Sequence, residues 1–137
     1  MRRWNGWGDD SFHLELPDNG TDFLRERLGV AEPLAEATLE AVCSQVPESR
    51  IPAREQVHTD AETRVRHARG QSLPDWLAMR SGEFGVFPDA VALPETSEQV
   101  AELLQWAQQQ DLLVIPYGGG TSVAGHINPA DQGKPVL

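Results

Sequence analysis

Residues 112–126 read Leu112-Leu113-Val114-Ile115-Pro116-Tyr117-Gly118-Gly119-Gly120-Thr121-Ser122-Val123-Ala124-Gly125-His126, and this stretch decides the architecture. It opens as a short apolar run with two β-branched residues. No polar side chain interrupts residues 112–115, so they predict a strand buried on both faces. Pro116 ends the hydrogen-bond ladder. The three glycines then allow φ > 0 and let backbone come close to a bound group with no Cβ in the way. Successive amides in such a turn can form a concave anion site, and Thr121 and Ser122 add two hydroxyls. No Lys or Arg lies between residues 110 and 133, so dipoles and hydroxyls, not a cationic side chain, would hold an anion here.

Two familiar phosphate loops do not fit. Gly120 and Gly125 have P-loop spacing, but His126 and Ile127 stand where Lys and Ser or Thr are required. Gly118 and Gly120 begin a G-x-G-x-x-G pattern, but Val123 takes the third place. A plain glycine turn is the alternative. Three adjacent glycines lose more backbone entropy than a plain turn needs to, which favours a ligand loop.

The segments before the loop supply its frame. Pro88-Asp89-Ala90-Val91-Ala92-Leu93-Pro94 reads as a short strand bounded by prolines. Thr96 and Gln99 form a capping box. Val100, Leu103, Leu104 and Ala107 make one face of the helix that follows. Strand, helix and strand in about 30 residues predict a βαβ unit with parallel strands and a right-handed crossover. The loop then sits at the carboxyl end of the second strand, where open α/β sheets bind ligands. Residues 128–134 are turn-like, and Pro135-Val136-Leu137 starts another strand. One βαβ unit cannot cover both faces of its sheet. The pattern therefore predicts an amino-terminal portion of a larger protein, or one chain of a split one.

The first 86 residues are helical in texture. An arm rich in Gly, Asp and Trp, anchored by Trp4 and Trp7 against its own domain, leads to a short helix over 21–28 that stops at Gly29. Pro33 opens a longer helix to about Val46, with Leu39, Val42, Cys43 and Val46 on its apolar stripe. Cys43 on that stripe is a structural thiol rather than a nucleophile. Residues 47–58 read as a linker. Thr59 or Asp60 caps a polar helix carrying Arg64, Arg66, His67 and Arg69 up to Gly70. A solvated face paired with Glu62 and neighbouring acids is the default reading of that basic cluster, and a face for an anionic group or partner domain is the sharper one. Ser72 starts a further helix whose Trp76, Leu77 and Met79 are core residues.

Of the 137 residues, 39% are hydrophobic and 23% charged, with a net charge of −10, which argues against nucleic acid or an anionic membrane surface as partner. No run reaches the ~18 apolar residues of a membrane span. Arg2-Arg3 begins like a twin-arginine signal, but Trp4-Asn5-Gly6-Trp7-Gly8-Asp9-Asp10 offers no apolar core. A single cysteine fits a reduced, cytoplasmic setting. His13, His58 and His67 have no metal-ligand spacing, so no metal site is expected.

Pro116-Tyr117-Gly118-Gly119-Gly120-Thr121-Ser122 resembles the pyrophosphate loop of the FAD-binding oxidases and transferases of the vanillyl-alcohol oxidase and p-cresol methylhydroxylase (PCMH) superfamily. Pro88-Asp89-Ala90-Val91 and Pro94 resemble the strand that opens that flavin domain. Arg3-Trp4-Asn5-Gly6-Trp7-Gly8 and Arg66-His67-Ala68-Arg69-Gly70 resemble the alkyldihydroxyacetonephosphate synthase branch. The resemblance implies an α/β (α+β) chain: a helical region over 1–86, then the first βαβ unit of a PCMH-type FAD-binding domain over 87–137, incomplete at its C-terminus. It implies FAD, held non-covalently, as cofactor. Pro116, Tyr117, Gly118, Gly119, Gly120, Thr121 and Ser122 would bind its diphosphate.

A histidine tether at His126 is the less favoured alternative to a histidine that hydrogen-bonds the loop or simply ends it. In the synthases the flavin exchanges an acyl for an alkyl group on dihydroxyacetone phosphate, with no net redox. In D-lactate and glycolate dehydrogenases it takes a hydride from a 2-hydroxy acid. The resemblance implies that the small-molecule substrate and the catalytic residues belong to a cap that lies beyond residue 137 in the family, and a homodimer fits the class. A non-catalytic interaction module is the reading from another class.

Overall fold

Four of the five helices among the described residues begin where a short polar side chain captures a free amide. Thr38 accepts from Ala41 N at 3.2 Å, Asp60 from Thr63 N at 2.9 Å, Ser72 from Asp75 N at 3.2 Å and Thr96 from Gln99 N at 3.2 Å. The last two are reciprocal capping boxes, closed by the Asp75 and Gln99 side chains. The computed structural model describes residues 2–32 and 34–137. Among them the order is α1 (Gly20–Leu28), α2 (Leu39–Cys43), β1 (Val57–His58), α3 (Ala61–Arg66), α4 (Leu73–Ser81), β2 (Val91–Ala92) and α5 (Ser97–Gln109).

The expected starts of α3, α4 and α5 and the stop of α1 at Gly29 are all observed; Gly29 takes φ 84°. The helix expected from Pro33 to Val46 is shorter, because Thr38 caps it at Leu39; Pro33 itself lies outside the described residues. Its stripe nonetheless packs as expected. Val42 is fully buried, with Leu39, Cys43 and Val46 against the same core. Burial raises the Cys43 thiol pKa, as an inert structural thiol requires.

Two apolar clusters hold the chain. The first joins Val42, Val65, Ala68, Met79, Phe84 and Phe87, with Trp4 of the arm packed on it. Phe84 stacks between Trp4 (6.4 Å) and Phe87 (5.2 Å). Burying such a side chain stabilises by roughly 1.5–3 kcal/mol. Trp4 thus docks on its own domain as expected, while Trp7 stays exposed. Leu77, expected in the core, is also exposed; α4 turns Met79 and Trp76 inward instead.

The second cluster joins Ile51, Val57, Ala90 and Leu103. Residues 47–58 are therefore not a linker. Ile51 and Val57 are buried, and β1 pairs antiparallel with β2, Val57 opposite Ala92 and His58 opposite Val91. A two-residue strand is too short to leave a periodic signal.

The βαβ expectation needs one correction. The segments over 88–92 and 113–115 are not neighbours, because residues 135–137 run between them. Leu113 N and Ile115 N donate to the Pro135 and Leu137 carbonyls, and Leu137 N returns a bond to Leu113 O, all within 2.8–2.9 Å. On the other side Asp89 N and Ala90 N both donate to Val136 O. The Val136 side chain there is buried. Residues 112–115 are also not buried on both faces. Val114 is 36% exposed, on an apolar cleft of about 380 Å³ shared with Val100, Leu104, Ile127 and Pro129.

Candidate cofactor-binding site

The glycine loop begins directly after Ile115, the last residue bonded to the sheet. Gly120 alone of the three consecutive glycines takes positive φ, at 67°, and a Cβ there would run into the Tyr117 hydroxyl and Arg2. Gly118 and Gly119 have no such backbone demand. A Cβ on Gly118 would meet nothing within 4 Å, and one on Gly119 only the Thr121 methyl at 3.8 Å. Neither glycine is required by a neighbouring protein atom, and both leave open space beside the backbone. Among the described residues, no hydrogen bond takes up the amides of 118–122. Bare, donor-rich backbone of this kind fits a diphosphate, which needs several convergent N–H groups and close approach.

Six of the seven expected site residues divide among three positions; the seventh, Gly120, is buried beside the Tyr117 hydroxyl. Gly119 and Thr121 border a cleft of about 260 Å³ that faces the arm, and Gly118 is exposed beside them. Ser122 points to the rear: its carbonyl accepts from Gln71 N at 2.6 Å, and its hydroxyl meets His126 Nδ1 at 3.2 Å. His126 thus hydrogen-bonds the loop. Pro116 and one side of Tyr117 line the apolar cleft instead.

Tyr117 ties the loop to α3 and to the arm. Its hydroxyl accepts from Arg2 Nη2 at 2.9 Å and donates to the Arg66 carbonyl at 3.3 Å, and its ring meets His67 edge-on at 4.7 Å. Burial lowers the His67 pKa, and the nearby Arg2 and Arg66 charges add to the effect against the Thr63 carbonyl at Nδ1. These effects favour the neutral ring.

Behind the loop, the corner between α3 and α4 acts as a clamp. Gly70 N donates to Asn128 Oδ1 at 3.0 Å, and Asn128 Nδ2 donates to the buried Asp75 at 2.6 Å. Gln71 N holds Ser122 O, and the Gln71 side chain accepts from Trp76 Nε1 at 2.7 Å. A Cβ on Gly70 would collide with the Ser122 carbonyl. The sequence carried no signal for Asn128, whose partners lie more than 50 residues away.

The basic cluster of α3 is a crossbeam rather than a solvated face. Arg64 is 2% exposed and donates to Pro88 O at 2.6 Å and Pro47 O at 2.7 Å. Arg69 donates to the Phe84 carbonyl and pairs with Asp75. Only Arg66 makes the expected pair with Glu62, at 2.8 Å, and it also holds the Arg2 carbonyl at 2.8 Å. Among the described residues, no group of three His, Cys, Asp or Glu side chains is placed to hold a metal ion, and no helix is long and apolar enough to cross a membrane.

Residues 88–134 match the family model of an FAD binding domain, which indicates FAD as the cofactor. The sequence is similar to alkyldihydroxyacetonephosphate synthase from Dictyostelium discoideum, 36% identical over 78 residues that make up 57% of this chain and 13% of that protein. A shorter stretch, 36% of the chain, is 38% identical to the mitochondrial cytochrome-type D-lactate dehydrogenase of Kluyveromyces lactis, of which it covers 9%. A solved alkyldihydroxyacetonephosphate synthase structure superposes on 98% of the chain with a TM-score of 0.78 at 24% identity, and the overlap spans 31% of that structure. The chain is thus synthase-like in sequence and in fold, it corresponds to a small part of the relatives it matches, and those relatives are enzymes.

Proposed function

We propose that this chain supplies the diphosphate-binding part of the FAD site of an alkyldihydroxyacetonephosphate synthase-like enzyme. The carrying observation is the pair Gly118 and Gly119, which the fold does not require, beside amides of 118–122 that no group among the described residues takes up. In this reading those amides hold the two phosphates and the Thr121 hydroxyl adds a neutral donor. Pro116 and Tyr117 anchor the loop's start. Ser122 orients its end through Gln71 and His126. Attachment is non-covalent in this reading, with His126 hydrogen-bonded to Ser122 through Nδ1. When bound, the flavin supplies the electron-accepting ring; the residues here bind and orient it.

The division into a helical region over 1–86 and a flavin segment over 87–137 belongs to the same proposal. So do a cytoplasmic setting, a homodimer, and a small-molecule substrate bound by parts of the enzyme outside these residues.

The test is Gly118→Ala in the full-length protein. The methyl group meets no protein atom and no strained φ. Stability should hold or rise by up to about 1 kcal/mol, while FAD affinity, read by flavin fluorescence titration, should fall at least tenfold. Undiminished flavin binding would overturn the reading. The match to the D-lactate dehydrogenase favours a second enzyme reading over this segment. Turnover of D-2-hydroxy acids with a dye acceptor selects it, and lack of visible flavin absorbance in the purified protein would favour an interaction module.

A further inference from the structure

A diphosphate carries at least two negative charges, and the loop itself offers only amides and hydroxyls. The fold brings a cation to it from the other end of the sequence. Arg2 sets its guanidinium carbon 5.8 Å from the Tyr117 ring centre and donates to the Tyr117 hydroxyl. Its Nη2 lies beside Gly120, on the side where a Cβ would project. The cleft between arm and loop is walled by Arg2, Gly6, Trp7 and Gly8 on one side and by Gly119 and Thr121 on the other. We propose that the arm is the second jaw of the diphosphate site, with Arg2 as the cation that the loop lacks; the proposal rests on the loop reading above.

Three observations carry it. The first is that Arg2 is uncommitted. Among the described residues no ion pair involves it, and the Tyr117 hydroxyl takes one of the five N–H groups a guanidinium offers. Its neighbour Arg3 is spent on the Phe12 carbonyl at 2.7 Å and the Asp10 carboxylate at 4.0 Å. Asp9 accepts from Ser11. The second is that the arm is docked and so can place a charge. Arg66 holds the Arg2 carbonyl, Arg3 N donates to Gly8 O at 2.9 Å, and Trp4 stacks on Phe84. The third is the shape of the cleft. Gly6 and Gly8 bring no side chains into it, and Trp7 is 61% exposed along its edge. An apolar plane beside a cation and a row of amides suits a phosphate-bearing ligand of some length.

The experiment uses the full-length protein stripped of flavin and titrated with FAD at low and high salt. Arg2→Gln should weaken FAD binding roughly 10- to 100-fold. It should also flatten the salt dependence of the affinity, because a screened charge has been removed. Arg2→Lys should recover part of the loss, and the melting temperature of the flavin-free protein should not move. In the unsubstituted protein, FAD should slow hydrogen exchange at amides of residues 2–8 as well as in the loop, a readout that needs no variant to fold. Unchanged affinity and salt dependence in Arg2→Gln, or an arm that FAD leaves unprotected, overturns the inference. If Gly118→Ala loses FAD while Arg2→Gln keeps it, the arm inference alone fails. If Gly118→Ala keeps FAD, the loop reading fails and this one with it.

Discussion

Asp89 shows how one side chain can set the frame on which the loop stands. Its carboxylate is nearly buried, accepts from Arg50 at Nε (2.7 Å), Nη2 (2.8 Å) and the backbone N (3.2 Å), and takes the Val136 amide at 2.8 Å. It thereby joins residues 50, 89 and 136, which local periodicity cannot connect. Burial alone would raise its pKa, but the Arg50 and Val136 hydrogen bonds outweigh that and hold it below the ordinary carboxylate value. A depressed folded pKa means that the stability it contributes is full above about pH 4, the unfolded value, and is lost as pH falls through the lower folded value. Asp89→Asn should cost about 1–3 kcal/mol at pH 7, since Arg50 is half-exposed and its partner is not. It should also remove that acid slope. Urea unfolding at pH 7 and at a series of acid pH values checks both, and a variant as stable as the parent at pH 7 would contradict the assignment.

At the scale of the elements, the loop is held from behind by one corner. Gly70 sits so close to the Ser122 carbonyl that no side chain fits between them. Gly70→Ala should force the α3–α4 corner and the loop apart, destabilising by roughly 1–3 kcal/mol, and weaken FAD binding in parallel; an unfolding curve and a flavin titration on one preparation measure the pair. The same corner marks how far the sequence could be read. The capping signals at Asp60, Ser72 and Thr96 were legible because a cap is a local event, complete within four residues. The glycine run was legible because its composition is unusual. The Asn128–Gly70–Asp75 clamp, the Arg2–Tyr117 contact and the insertion of residues 135–137 were not, because each joins positions distant in sequence by hydrogen bonds that leave no period. Arg64 misled for a related reason: arginine in a polar helix is ordinarily solvated, and only the carbonyls of Pro47 and Pro88 draw it inside.

At the scale of the whole molecule, the apolar cleft beside the sheet sets the chain's behaviour in water. Val100 and Leu104 of α5 line it half-exposed with Val114, while Leu103 and Ala107 of the same helix are buried. The helix is thus apolar over a wider arc than this chain covers. The 137-residue polypeptide should therefore bind the dye ANS under native conditions. Leu104→Glu should abolish most of that fluorescence and change stability by no more than about 0.5 kcal/mol, as expected for a side chain packed against little. A parent chain that leaves ANS dark would contradict this description of the surface. The contact from Arg2 to Tyr117, finally, has a meaning in time as well as in space. The two residues are 115 positions apart, and synthesis adds about 5–20 residues per second. The arm therefore leaves the ribosome on the order of ten seconds before its partner exists. Throughout that interval the arm has no loop to meet, and the cleft between them forms only after Tyr117 has been made.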